Sequence, residues 1–391
     1  MMDSHTPELS AASQAPARSS SGARARIPTF IAVVQAILLL THLFLYLTWV
    51  FFWGAPDNSG ARGLQITLAF LSVSFVAASI LARLYFNLAV RAFYIFAAVW
   101  LGFVNFFFLA ACACWIIYGV PLLFGVRLDR HSLAAVCFGL SLIAGISAIV
   151  NAQWTRVVRV SVKLPNLPAA WRGRTAAVVS DLHLGHLRNA GFLRRIVRKL
   201  SQLHPDVLFI PGDMYDGTTA DFDRLAKPWA DFCAPLGAYF ITGNHEQFTS
   251  PSQYLAAVRQ SGIRVLENEK VVLDGLQIVG VHYHDSTNAE KLRSILQQAD
   301  LDPNVASVLL VHNPSCLPVA AEAGISLQLS GHTHRGQFFP FTKIVSRIYG
   351  NFAYGLNRFG DLQVYTSCGA GTWGPPMRLG SNPEIVLIRF E

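Results

Sequence analysis

The sequence predicts a bundle of membrane-spanning helices followed by a polar α/β domain. Of the 391 residues, 52% are hydrophobic, which is more than a soluble globular protein usually contains, and the apolar residues are concentrated before residue 150. The later part carries most of the acidic residues and histidines. There, short β-branched runs alternate with helical stretches, a pattern typical of an α/β domain.

The N-terminal part is predicted as a tail and a transmembrane region. Residues 1–26 are rich in Ser, Ala, Pro and Arg and lack aromatic residues, so we expect a disordered tail. A cleaved signal peptide is the alternative, but the first apolar stretch is longer than a signal core and more such stretches follow, which favours a retained anchor. We predict about four helices within residues 27–150, at residues 28–53, 64–81, 92–120 and 132–150.

Basic residues flank the predicted helices unevenly. One set of flanks carries Arg18, Arg24, Arg26, Arg83, Arg91, Arg156, Arg159 and Lys163, whereas the opposite loops carry Arg62, Arg127 and Arg130. The positive-inside rule therefore predicts an integral membrane protein of the inner or plasma membrane with its polar domain in the cytoplasm.

A basic connector, residues 151–174, is predicted to lead into the polar domain at residues 175–391. Glycine- or proline-bearing loops follow the β-branched runs that we predict as strands. These strands are Ala176–Val179, Val207–Ile210, Tyr239–Thr242, Leu276–Val281, Ser307–Val311 and Ser326–Leu329.

Potential metal ligands stand where these strands end. Asp181 and His183, two residues apart, lie on one side of an extended backbone, and a carboxylate beside an imidazole suits a divalent transition metal. This pair alone is weak evidence, because Asp-x-His often arises by chance. Four more strand ends carry such residues, in the motifs Pro-Gly-Asp-Met-Tyr-Asp-Gly, Gly-Asn-His-Glu, Val-His-Asn-Pro and Ser-Gly-His-Thr-His.

These five motifs, in this order, resemble those of the calcineurin-like metallophosphoesterases. The resemblance covers roughly residues 175–391 and implies an α/β domain in which two mixed β-sheets pack together and are flanked by helices. The later stretch Ser-Cys-Gly-Ala-Gly-Thr-Trp-Gly-Pro-Pro-Met-Arg-Leu-Gly, residues 367–380, resembles the branch of the family that carries N-terminal transmembrane helices.

The resemblance implies two divalent metal ions. One would be held by Asp181, His183, Asp213 and His334, and the other by Asn244, His312, His332 and the same Asp213. The small Gly331 would let the backbone approach the ions closely. Mn²⁺ is the expected metal, and Fe and Zn²⁺ are alternatives that the ligand types also suit.

Further roles are predicted around this site. The resemblance implies that His245 protonates the leaving oxygen or stabilises developing charge, and that Glu246 holds the His245 imidazole in position or raises its basicity. Arg335 either clamps a phosphate or is a solvated side chain. His186 either contacts substrate or has a structural or exposed role.

Two features concern the substrate. The basic face of residues 191–203 either lies against anionic lipid headgroups or is a solvated helix face. An apolar stretch after the last histidine motif either receives acyl chains or packs in the core. Its residues are Phe338, Phe339, Phe341, Ile344, Ile348, Tyr349 and Phe352.

We therefore predict a membrane-anchored di-metal phosphohydrolase that contacts membrane lipids and cleaves a phosphoester or pyrophosphate in a lipid-linked substrate. The resemblance points to UDP-2,3-diacylglucosamine, in lipid A biosynthesis. Another phospholipid, a lipid carrier or a soluble phosphodiester is an alternative substrate, and a non-catalytic receptor or scaffold for a phosphorylated ligand is an alternative class. No nucleic-acid motif is recognised, so no nucleic-acid partner is expected, and the sequence does not indicate an oligomeric state.

Overall fold

The computed structural model describes residues 21–55, 57–248 and 251–391. Within these ranges, four helices are long and apolar enough to cross a membrane. They are α1 (Ser21–Trp53), α2 (Asn58–Leu84), α3 (Leu88–Leu122) and α4 (Arg130–Asn151). Each overlaps one predicted helix, so the predicted apolar bundle is confirmed.

Short polar side chains start three of these helices. Asp57, Asn87 and Asp129 each precede a helix and accept a hydrogen bond from a backbone N–H of its first turn. Such caps satisfy amide groups that have no partner within the helix, which fixes where the helix begins.

The start of α1 corrects one boundary. The prediction of a disordered tail is wrong for Ser21–Arg26, because these residues belong to α1. The physical reason is that Ala and Arg are good helix formers, so the helix of the apolar segment extends into them. Residues 1–20 lie outside the described residues, and disorder there stays a prediction.

The polar domain contains two mixed sheets of six strands each in the described residues. The strands are β1 (Arg156–Val162), β2 (Thr175–Val178), β3 (Val207–Pro211), β4 (Ala238–Ile241), β5 (Arg264–Val265), β6 (Glu269–Leu273), β7 (Leu276–Gly280), β8 (Ser307–Leu310), β9 (Leu327–Ser330), β10 (Gly355–Phe359), β11 (Leu362–Thr366) and β12 (Glu384–Phe390). The strand orders are β1-β12-β2-β3-β4-β5 and β10-β11-β9-β8-β7-β6.

Parallel strands form the centre of each sheet. Strands β2 to β5 run parallel, and so do β7, β8, β9 and β11. Strands β6, β10 and β12 make the antiparallel pairings. The prediction of two mixed sheets is therefore confirmed.

Helices cover the outer faces of the sheets. The α-helices of the domain are α5 (Ala190–Leu203), α6 (Phe222–Ala226), α7 (Pro251–Gln260), α8 (Tyr283–Ser286), α9 (Ala289–Gln298), α10 (Leu317–Glu322) and α11 (Phe341–Tyr349). Of these, α5, α6 and α7 pack on one outer face, and α9 and α10 pack on the other. Phe209 of β3 and Leu310 of β8 share the core between the sheets. Ile196 of α5 and Leu292 of α9 lie in separate cores, so the domain has four layers.

The six predicted strands all form, but the predicted connector contains a strand as well. Residues 156–162 form β1, which pairs in parallel with β12. The arginines of this segment favour the prediction of a basic connector. Its β-branched residues nevertheless give it the character of a strand, and they are Val157, Val158, Val160 and Val162. The polar domain therefore begins at Arg156.

The bundle packs directly on the polar domain. Phe106 of α3 and Ala148 of α4 lie in one apolar cluster with Phe338. The side-chain amide of Asn151 donates a 3.0 Å hydrogen bond to the backbone carbonyl of Arg378. Phe338 and Arg378 both belong to loops around the strand ends. The loops that border the candidate site therefore also contact the membrane helices.

Candidate metal centre

The predicted ligands gather at the carboxyl ends of five strands. Because these strands run parallel within their sheets, the loops that follow them meet at one edge of the sandwich. Asp181 and His183 follow β2, Asp213 follows β3, Asn244 follows β4, His312 follows β8, and His332 and His334 follow β9.

A first cluster joins two carboxylates and two imidazoles. Nε2 of His183 lies 2.9 Å from Nε2 of His334 and 3.8 Å from Oδ2 of Asp213. Oδ1 of Asp181 lies 3.5 Å from Nε2 of His334. Ligand atoms of Asp181, His183 and His334 all lie within 4.8 Å of one another. The structure thus brings together the residues that the resemblance assigned to one ion.

A second cluster shares Asp213 with the first. Nε2 of His312 lies 3.2 Å from Oδ2 of Asp213 and 3.1 Å from Oδ1 of Asn244. Nδ1 of His332 lies 2.8 Å from the same Asn244 oxygen. These are the residues that the resemblance assigned to the other ion.

The chemistry of these residues fits divalent metals. Nδ1 of His312 donates a 2.8 Å hydrogen bond to the carbonyl of Pro211, which leaves Nε2 facing Asp213 and Asn244. Metal-binding histidines usually hold their second nitrogen in this way. Carboxylate, amide and imidazole groups that converge on shared points suit Mn²⁺, Fe or Zn²⁺.

The ligand loops have an unusual backbone. Asp181, His183, Asp213, His332 and His334 all have φ between 48° and 70°, the left-handed region that residues other than glycine seldom adopt. Residues held in this way cluster at functional sites, where the surrounding structure outweighs the strain. The extended backbone predicted for Asp181 and His183 is therefore wrong, because both residues adopt the left-handed conformation.

Burial and charge shift the pKa values of the ligands. Burial raises the pKa of Asp181 to about 6. For His312, burial opposes the charged form, but the Asp213 carboxylate outweighs it and raises the pKa to about 9. Burial lowers the pKa of His332 to about 3, so this imidazole is neutral at pH 7, as a metal ligand must be.

His245 lies beside the clusters, and its ring centroid is 4.6 Å from that of His183. Its Nδ1 bonds to the backbone carbonyl of Asp216 at 2.9 Å. Since a carbonyl only accepts, Nδ1 carries a proton and Nε2 is the nitrogen left for chemistry.

Glu246 has contacts beyond the role that the resemblance implies for it. Its buried carboxylate accepts hydrogen bonds from the backbone N–H groups of Asp213 (3.0 Å), Tyr215 (3.0 Å) and Gly243 (2.6 Å). It therefore ties the loop after β3 to the loop after β4, while the Asp216 carbonyl holds Nδ1 of His245. The role that the resemblance implies for Glu246 on the His245 imidazole stays a prediction.

The two predicted substrate contacts have other partners in the structure. The Arg335 guanidinium is stacked 4.6 Å from the ring centroid of Tyr354. Both ring nitrogens of the buried His186 are engaged, with the Thr218 hydroxyl at 3.1 Å and the Tyr85 carbonyl at 3.2 Å. Tyr85 follows α2, so His186 links the domain to the bundle, which favours its structural role over substrate binding.

Arg378 lies at the candidate site, although its sequence context did not lead to a predicted role there. This arginine is fully buried, and its guanidinium donates to the carbonyls of Cys368 (2.6 Å), Gly371 (2.8 Å) and His334 (3.2 Å). A guanidinium nitrogen also lies 3.1 Å from Nδ1 of His334. An arginine inside a glycine- and proline-rich motif is a signal for such a role, because loop carbonyls there need donors.

An α/β sandwich that carries two linked carboxylate–imidazole clusters at its strand ends is the architecture of a metal-dependent phosphoesterase. Residues 174–336 match the family model described as calcineurin-like phosphoesterase. An uncharacterized metallophosphoesterase of Aquifex aeolicus is 30% identical over 262 residues, which cover 64% of this chain and 98% of that protein. The chain belongs to the calcineurin-like phosphoesterase family.

Two further relatives have names that state a membrane location or a substrate. A "transmembrane protein with metallophosphoesterase domain" of Danio rerio is 32% identical over 265 residues, 63% of this chain and 60% of that protein. The "UDP-2,3-diacylglucosamine pyrophosphatase" of Chlamydia trachomatis is 25% identical over 295 residues, 60% of this chain and 88% of that protein. The chain thus spans about three fifths of the length of the Danio rerio relative. The four long apolar helices, together with the name of this relative, indicate a membrane protein.

Proposed function

We propose that this protein is a membrane-anchored di-metal phosphohydrolase that cleaves a phosphoester or pyrophosphate bond in a lipid-linked substrate. The observation that carries the proposal is the position of Asp213, whose carboxylate belongs to both ligand clusters. A shared carboxylate is what holds two ions close enough to act on one phosphate. Of the metals that suit these ligands, Mn²⁺ is our proposal.

When bound, two divalent ions supply a water of lowered pKa as nucleophile and positive charge against the phosphate oxygens. The residues of the chain then have separate tasks. Asp213 joins the two halves of the site, and the six other ligands fix where the phosphate lies. Hydrolysis needs no covalent bond between the protein and the substrate.

His245 is our candidate for the general acid. With Nδ1 fixed on the Asp216 carbonyl, Nε2 carries a transferable proton when the ring is charged. The leaving oxygen takes this proton as its bond to phosphorus breaks, and Nε2 regains it from solvent. Glu246 acts indirectly, since it holds the loops that carry Asp213 and His245.

A lipid-linked substrate is supported by the position of the site. The loops that carry the ligands adjoin those that pack against α3 and α4. The name of the Chlamydia trachomatis relative supports UDP-2,3-diacylglucosamine, the intermediate of lipid A biosynthesis, as the first substrate to test. Basic residues at the ends of the helices next to the polar domain, Arg83 and Arg91 among them, support a cytoplasmic position for the site.

The test is the release of UMP from UDP-2,3-diacylglucosamine by detergent-solubilised protein, with Mn²⁺ and after chelation. Attack of water on one phosphorus of the pyrophosphate gives UMP and the acylated sugar phosphate. We expect metal-dependent release by the wild type and none by Asp213→Asn. Release of UMP that survives chelation would refute the di-metal mechanism.

The same preparation separates the alternatives. Cleavage of a soluble aryl phosphodiester without release of UMP would show that the protein is a hydrolase. It would also show that UDP-2,3-diacylglucosamine is not its substrate. If neither compound nor any other phosphorylated lipid is cleaved while Mn²⁺ binds at two ions per chain, the protein is a receptor or scaffold rather than an enzyme.

A further inference from the structure

Helix α11 is amphipathic, and its apolar stripe is exposed. Phe341, Ile344 and Ile348 are 46%, 46% and 67% exposed, and their spacing places them on one face. Lys343 and Arg347, both exposed, lie one turn apart on a neighbouring face. The apolar stretch predicted from the sequence is therefore divided, with Phe338 buried in the core and these three side chains outside it.

The beginning of α11 lies where the bundle contacts the polar domain. Phe338, three residues before the helix, packs on Phe106 with ring centroids 5.6 Å apart and shares a cluster with Ala148. The carbonyl of Phe339 accepts a 3.0 Å hydrogen bond from the side chain of Asn105. Helix α11 thus continues directly from the surface of the membrane-spanning helices.

The length of α4 locates the boundary of the bilayer. Its 22 residues extend about 33 Å at about 1.5 Å per residue, close to the roughly 30 Å hydrocarbon core. Ala148 lies in the last turn of α4, so the cluster that it forms with Phe338 lies at the boundary between acyl chains and headgroups. Because Phe338 precedes α11 by three residues, the helix begins near this boundary.

The end of α11 lies at the metal centre. The Tyr349 ring centroid is 6.3 Å from that of His332. On the other side of the centre, the Trp373 ring is 58% exposed and its centroid lies 6.0 Å from that of His245. An exposed aromatic side chain therefore borders the clusters on the side of the general acid as well.

We propose that α11 lies in the plane of the membrane interface, with Phe341, Ile344 and Ile348 among the acyl chains of the nearer leaflet. Apolar side chains on one face and cations beside them are the features of an interfacial helix, since Lys and Arg extend to the headgroups. The partner of this surface is the lipid bilayer itself. Substrate delivery along this face to the metal centre rests on the proposed function, whereas the position of the helix does not.

The position is tested with a spin label on Ile348→Cys in protein reconstituted into phosphatidylethanolamine–phosphatidylglycerol vesicles. Exposed Cys233 is replaced by Ser in the parent, which serves as the blank. Val272→Cys is the matched control, because Val272 is 58% exposed on β6, an edge strand of the polar domain. Relaxation by oxygen, which concentrates in lipid, is compared with relaxation by a water-soluble nickel chelate.

We expect the label at residue 348 to respond to oxygen and the label at residue 272 to respond to the chelate. A label at residue 348 that responds to the chelate like the control would overturn the proposal. A label at residue 348 shielded from both reagents would also overturn it, because a protein surface, such as a second copy of the chain, would then cover the helix.

Delivery of substrate is tested with Ile344→Asn/Ile348→Asn beside Val272→Asn. We expect the double variant to hydrolyse lipid-linked substrate in vesicles about ten-fold more slowly, since it loses apolar contact with the bilayer. Hydrolysis of a soluble aryl phosphodiester should stay unchanged in both variants. An equal loss on both substrates would refute delivery along this face. A wild type that cleaves no lipid would refute the lipid-linked substrate, while the spin label still decides where α11 lies.

Discussion

Oδ2 of Asp213 lies 3.2 Å from Nε2 of His312, and both side chains are buried. The same oxygen lies 3.8 Å from Nε2 of His183, which belongs to the other cluster. One carboxylate thus connects ligands supplied by both sheets. Without a metal, this arrangement is a buried ion pair, and in the proposed di-metal site the same carboxylate would serve both ions.

Replacement of this shared carboxylate tests the site directly. Asp213→Asn keeps the shape of the side chain but removes the charge that two cations share. We expect metal-dependent turnover to fall by more than about a hundredfold and the metal content to fall below two ions per chain. Turnover and metal analysis of the purified variant measure both effects.

Asp223→Asn is the matched control, because Asp223 is an exposed residue of α6. It should retain the turnover and the metal content of the wild type. An Asp213→Asn variant that binds two ions and turns over normally would contradict the role of the shared carboxylate.

The ion pair makes the stability of the metal-free protein depend on pH. The pKa of His312 is raised to about 9, above the value of about 6.5 expected in the unfolded chain. Its stabilisation is complete below about pH 6.5 and is lost as the pH rises to about 9. Between about pH 7 and 9, the melting temperature of chelated protein should fall. The buried histidines with lowered pKa values are neutral in the folded state over this interval and mostly neutral in the unfolded chain.

His312→Asn should flatten this pH dependence, because it removes the titrating group. Saturating Mn²⁺ should reverse it, because metal binding displaces the proton and becomes tighter as the pH rises. Chelated wild-type protein whose melting temperature stays constant or rises over the interval would be evidence against the ion pair.

The hydrogen bonds of Glu246 give a third prediction. Glu246→Ala leaves the buried N–H groups of Asp213, Tyr215 and Gly243 without their acceptor, and we expect a loss of about 2–4 kcal/mol in the free energy of unfolding. Glu246→Gln keeps one acceptor oxygen and should lose less. Denaturant unfolding of both variants measures the difference. If the two variants are equally stable and only turnover falls, Glu246 acts in the chemistry instead.

The membrane helices, the central strands and the position of ligand-type residues at the strand ends were predictable for physical reasons. Apolar stretches long enough to span a bilayer have few other structures available, and each ligand follows a β-branched run, as Asp181 follows β2. The meeting of Asp213 and His312 was expected from the family resemblance alone, because β3 and β8 belong to different sheets and their order along the chain does not bring them together.

Contacts between distant segments were not predictable. The burial of His186 against Tyr85 and the stacking of Arg335 on Tyr354 depend on loop paths that local patterns do not determine. The exposure of Ile348, on the helix that follows the buried Phe338, depends on how α3 and α4 pack against the domain. Strand β1 was not predicted, because its arginines are typical of a basic connector although its valines favour a strand.

Arg378 shows how much such a contact contributes, and it gives the last prediction. Arg378→Met removes the donors for the carbonyls of His334, Cys368 and Gly371, so we expect a loss of about 3 kcal/mol in stability. Arg378→Lys should not restore it, because an ammonium group cannot reproduce the planar set of donors. Arg358→Met, at an exposed position of β10, is the matched control.

Metal analysis distinguishes a positioning role from a purely structural one. Since the Arg378 guanidinium lies 3.1 Å from Nδ1 of His334, the folded fraction of Arg378→Met should bind less Mn²⁺ per chain than the wild type at equal free metal. The control should bind Mn²⁺ normally. Full metal binding by the folded fraction of Arg378→Met would show that the arginine stabilises the loop without positioning His334.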